Sequence, residues 1–97
     1  MQDRLTEEKI SKYLDITKRA LDKLKVSPPA RSFNRKLAED FLGMARAYYS
    51  DAQHFRDEGD YVNSFACVNY AHGWLDAGAR IGLFDVGEDD RLFTLYE

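Results

Sequence analysis

Four polar side chains on one predicted helix are the first candidates for chemistry. Asn69, His72, Asp76 and Arg80 recur at spacings of three and four, which puts them along one line of a helix. A carboxylate four residues after a histidine can meet its ring, orient it and favour its protonated form. Asp76 and Arg80, acid first at i,i+4, form the better-ordered helical ion pair. A second polar group, Tyr48, Asp51 and His54, lies on the preceding helix. If the two helices pair antiparallel, residue 54 falls opposite 65 and residue 48 opposite 71, so His72 can approach Tyr48 or Asp51. An acid–base or metal site from Asp51, His54, His72 and Asp76 is one reading. Satisfied structural hydrogen bonds around a core histidine are the other. The spacing matches no HExxH, no Glu-x-x-His pair and no two-cysteine ligand set, so neither metal nor cofactor is expected.

These residues must be positioned by helices. The first is predicted over about residues 6–25. Thr6 is its N-cap, Glu7 and Glu8 stand in the first turn, and Lys23 and Lys25 in the last. Ile10, Tyr13, Leu14, Thr17, Leu21 and Leu24 form its apolar stripe. Ser27-Pro28-Pro29 then breaks the helix. The second helix is predicted over about 35–58, with Leu37, Phe41, Met44, Ala45, Tyr48, Ala52 and Phe55 facing inward. Glu58-Gly59-Asp60 stops it with a left-handed glycine and caps the third, predicted over about 60–81 with Gly82 as its stop. So short a turn forces an antiparallel hairpin. The third helix, Tyr61 to Gly82, holds neither Lys nor Glu and carries apolar residues on nearly every side, the pattern of a helix covered by neighbours on several sides. Tyr70, Trp74 and Ile81 on its far face are covered by the first helix or by the C-terminal segment, or form a homodimer surface. Leu92, Phe93, Leu95 and Tyr96 make the tail, 83–97, an extended segment expected to dock on the bundle or on a partner chain.

The 97 residues suffice for one domain, and 44% hydrophobic content for its core. No apolar run approaches the roughly 18 residues of a membrane span. The charged start MQDRLTEEKI lacks an apolar signal region, and Cys67 is the single cysteine. Both fit a cytoplasmic setting, and Cys67 reads as a buried structural thiol. Residues 1–36 hold ten Lys/Arg against five Asp/Glu, while residues 37–97 hold four against twelve. The basic third, with Arg31, Arg35 and Lys36 beside the prolines and Lys18, Arg19 and Lys25 before them, can serve as a phosphate or RNA contact. It can equally be a basic helix packed beside acidic ones.

The run GDYVNSFACVNYAHGWLDAGARIGLFDV, Gly59 to Val86, resembles a family of small archaeal helical proteins known only as domain of unknown function 357. DDRLF at Asp89–Phe93 and the acidic-aromatic stretch Tyr48–Phe55 resemble it too. The resemblance implies an all-α, three-helix up-and-down bundle similar to immunoglobulin- and albumin-binding domains, joined in some relatives to a nucleotidyltransferase-like domain. It carries over no catalytic residue. The expected function is therefore a non-enzymatic helical interaction module, binding a protein partner or itself. An accessory RNA- or nucleotide-phosphate-binding domain is the alternative, and a cryptic enzyme around His72 and Asp76 the third reading.

Overall fold

The computed structural model describes residues 5–87. Three helices, α1 (Glu7–Lys23), α2 (Phe33–Asp57) and α3 (Tyr61–Arg80), run up, down and up. Two short strands, β1 (Lys25–Val26) and β2 (Phe84–Asp85), pair antiparallel. The bundle measures 44 × 24 × 19 Å. Phe93 and Tyr96, expected in a docking tail, lie outside the described residues.

Each helix begins on an oxygen-bearing cap. Thr6, Ser32 and Asp60 accept from the backbone N–H three residues on, that of Lys9, Arg35 and Asn63. Two helices end in the same hydrogen-bonded turn. After α2, Gly59 turns left-handed at φ 79°, Asp60 N–H donates to Phe55 C=O and Gly59 N–H to Arg56 C=O. After α3, Gly82 does so at φ 81°, with Leu83 N–H on Gly78 C=O and Gly82 N–H on Ala79 C=O. Both are Schellman motifs. The second turn drives Leu83 and Phe84 into the core and sends the chain back to β1, where Ser27 N–H donates to Leu83 C=O at 2.9 Å.

The line of closest packing between α2 and α3 is made of small residues. Ala38, Ala45 and Ala52 on α2 recur every seven residues, as do Ser64, Ala71 and Gly78 on α3, and all six are buried. Ser64 Oγ donates to Ala52 C=O at 2.7 Å, which sets the register: Ala52 faces Ser64, so Ala45 faces Ala71 and Ala38 faces Gly78. This register is displaced by three residues from the expected 54–65 and 48–71 pairing. Counting outward from the turn ignores that only about one residue per helical turn faces the partner. The small residues occupy those positions, and small side chains at the contact favour a short interaxial distance.

Side chains from all three helices fill two clusters. Ile10, Leu14, Ala52 and Val68 form one, with Tyr13 against Phe65 at 5.4 Å between ring centroids. Ala20, Ala38, Ala45, Leu75, Leu83 and Phe84 form the other, flanked by Leu24, Phe41 and Trp74. Thr17 sits between them on α1, fully buried, and its Oγ1 has no hydrogen-bond partner among the described residues. A buried hydroxyl without a partner costs stability. Thr17→Val keeps the shape and removes the polar atom, and should stabilise the protein by about 1 kcal/mol. The urea midpoint at unchanged m-value measures it, and a lowered midpoint would show that the hydroxyl is satisfied after all.

Candidate functional site

The line Asn69–His72–Asp76–Arg80 crosses the boundary between core and solvent. His72 is buried, Asn69 and Arg80 are exposed, and Asp76 lies between. A helical step of 100° turns His72 about 60° away from Asn69 toward the core. Asp76 is engaged by Arg80, whose Nε donates to both carboxylate oxygens at 3.1 Å. With most of the Arg80 side chain in solvent, this pair contributes at most about 1 kcal/mol.

The second polar group is dispersed as well. His54 is exposed and contacts Glu58 one turn on, Nε2 to Oε1 at 2.9 Å. Asp51 is exposed. Tyr48 stacks on Tyr70, with ring centroids 5.2 Å apart. Among the described residues, no group of three or more His, Cys, Asp and Glu side chains is placed to hold a metal ion. Cys67, expected to be buried, is half-buried. Burial raises its thiol above the usual range, with Asp51 and Asp60 adding to the effect, so it stays protonated and poorly nucleophilic at neutral pH.

The basic residues near the prolines divide in the same way. Arg31 and Lys36 are exposed. Arg35 donates from Nη1 to Pro28 C=O at 3.3 Å and so braces the loop. On α1, Lys18 is exposed, and Arg19 is 3.6 Å from Asp15 one turn earlier. Lys25 belongs to β1.

Concavity and apolar exposure coincide elsewhere, on the outer face of α3. As expected, α3 is covered on several sides, by α2, α1 and β2, but α1 does not cover Tyr70 and Ile81. In a bundle of three helices each keeps an outer face, and among the described residues α1 packs on α3 at the side of Phe65, Val68 and Leu75. Val62, Tyr70 and Ile81 are 72%, 61% and 60% exposed, and Ala66, Gly73 and Ala77 are exposed between them. Beside this stripe a groove of about 350 Å³ is lined by Phe41, Asn69, Tyr70, Gly73, Trp74 and Ala77. Its wall is fixed by Trp74, which meets Phe41 edge-on with centroids 4.9 Å apart. Neither His72 nor Asp76 lines it. Spacing had singled out Tyr70, Trp74 and Ile81. Gly73 and Ala77 between them carry no such signal, because their role depends on which face stays open.

Fold and surface together define a small all-α protein, a three-helix up-and-down bundle with an apolar helix face exposed among the described residues. The family model described as a protein of unknown function (DUF357) matches residues 12–84, and the chain belongs to that family. The matched span runs from α1 through the first residue of β2, so it takes in the α2–α3 seam and the groove. No curated protein and no solved structure matches the chain. Among the described residues, no helix is long and apolar enough to cross a membrane.

Proposed function

We propose that this protein is a helical interaction module that docks another protein through the outer face of α3. The observation that carries the reading is the stripe Val62, Ala66, Tyr70, Gly73, Ala77 and Ile81, exposed and uncharged along α3, with Arg80 the one charged residue beside it at the helix end. Water-facing helix surfaces are normally charged, and this chain is 32% charged residues. Contiguous exposed apolar surface rimmed by polar residues marks interaction sites. Tyr and Trp, present here as Tyr70 and Trp74, are the side chains that anchor such contacts. The groove has no converging acid–base pair, so binding rather than turnover is what its lining supports.

A photo-crosslinking residue placed at Tyr70 or Ala77 in the full chain, within cells that express it naturally, tests this. Adducts should form from both positions and not from Lys12, an exposed residue of α1. Absence of adducts from the α3 positions, or equal yields from Lys12, would overturn the reading.

A further inference from the structure

The exposed stripe of α3 is symmetric about its own centre. Val62 and Ile81, Ala66 and Ala77, and Tyr70 and Gly73 lie at equal distances on either side of the point between Ala71 and His72. If two copies of this helix lie antiparallel, each member of a pair meets the other member on the second copy. Branched side chains then meet at both ends, alanine meets alanine, and the one large residue meets the one with no side chain. We propose that the partner docked on this face is a second copy of the chain, with α3 antiparallel to α3 across a two-fold axis and Tyr70 seated over the partner's Gly73. This rests on the docking reading above and names its occupant.

Three further observations favour that occupant. A side chain at Gly73 would meet nothing within 4 Å, so the space above it is open, and the adjoining groove of about 350 Å³ has room for an aromatic ring. Alanine and glycine along the contact line let two helices approach closely, as the small residues between α2 and α3 already do within the bundle. Charge is also complementary at the ends. The antiparallel arrangement sets the end of α3 bearing Arg80 against the end capped by Asp60, and opposes the two helix dipoles. The stripe itself places no like charges against each other, although the chain carries a net charge of −3. A two-fold contact is isologous and needs a self-complementary patch, which is the property this stripe has.

The register makes a test that a nonspecific apolar contact fails. Val62→Lys sets a base against the partner end that bears Arg80, and Ile81→Glu an acid against the end capped by Asp60. Both positions are exposed, so the fold should persist. Within one chain, residues 62 and 81 stand at opposite ends of α3 and cannot pair. In the proposed dimer they meet twice. Sedimentation equilibrium of the full chain should show a monomer–dimer equilibrium. Each single variant should weaken it about tenfold or more, and the double variant should recover most of that loss in a salt-sensitive way. Circular dichroism and thermal melts establish that all three variants are folded. A double variant as weak as the singles overturns the register. A wild-type chain that stays monomeric up to about 1 mM overturns self-pairing, even where crosslinks to a different protein leave the docking reading intact. Absence of both dimer and crosslinks removes the two together.

Discussion

Phe84→Ala should lower the stability of this protein by about 3–5 kcal/mol, the range for removing a buried phenyl ring. Phe84 is 3% exposed and lies within the cluster that joins α1, α2 and α3. The loss is large against the about 5–15 kcal/mol total of an ordinary domain, so a melting temperature tens of degrees lower is expected, at about 4–8 °C per kcal/mol. Phe84 packs directly on Gly78. A methyl group built at Gly78 would collide with the ring carbons Cε2 and Cδ2 of Phe84. Gly78→Ala gains about 1 kcal/mol in helix propensity but loses about 1–3 kcal/mol by overpacking, and the loss should win. In the double variant the ring is gone and the methyl group occupies part of its space. The two destabilisations should therefore fall short of additivity by about 1–3 kcal/mol, as for residues in direct contact. Urea denaturation of the four proteins measures this coupling. Strict additivity would mean that the ring and the glycine do not touch in solution.

That contact also shows where the sequence is legible and where it is not. Local signals read well because their physics is local. Thr6, Asp60, Gly59 and Gly82 cap and stop helices as their types dictate, and the short turn between α2 and α3 makes the hairpin antiparallel. Ile10, Leu14 and Thr17 face inward on α1, as their spacing requires. The β1–β2 pairing was not legible, because two residues per strand carry no period to detect. The α2–α3 seam was only half legible. Large residues such as Leu37, Phe41 and Met44 attract a core assignment on α2, yet they are half-buried while Ala38, Ala45 and Ala52 are buried completely. The closest line between two helices has room only for small side chains, and the large ones flank it. The polar line on α3 is half legible for a related reason: the Asp76–Arg80 pair follows from its spacing and is present. Helical spacing joins Asn69, His72, Asp76 and Arg80 into one line, but the boundary between core and solvent cuts across it. His72 falls inside and Arg80 outside.

The seam predicts the second large effect. Ala45→Leu should destabilise the protein by about 3 kcal/mol, at the upper end of the usual cost of overpacking. Leu is nearly as good a helix former as Ala, so propensity contributes almost nothing and the effect is steric. Ala45 is fully buried and faces Ala71, also fully buried. Inserted carbons can therefore be accommodated only by spreading α2 from α3. Spreading would strain the Ser64 Oγ bond to Ala52 C=O further along the seam and the edge-on contact of Phe41 with Trp74 beside it. Trp74 is the single tryptophan, so its emission should report the change directly. Ala47→Leu, two residues on and exposed, adds the same atoms to the same helix and should shift stability by no more than about 0.5 kcal/mol. Equal effects at positions 45 and 47 would refute the close seam. Because Phe41 and Trp74 also line the groove, Ala45→Leu should weaken pairing of the chain as well as its folding. Val62→Lys, outside the seam, should weaken pairing and leave folding nearly unchanged. That contrast separates the surface that builds the bundle from the surface that docks a partner.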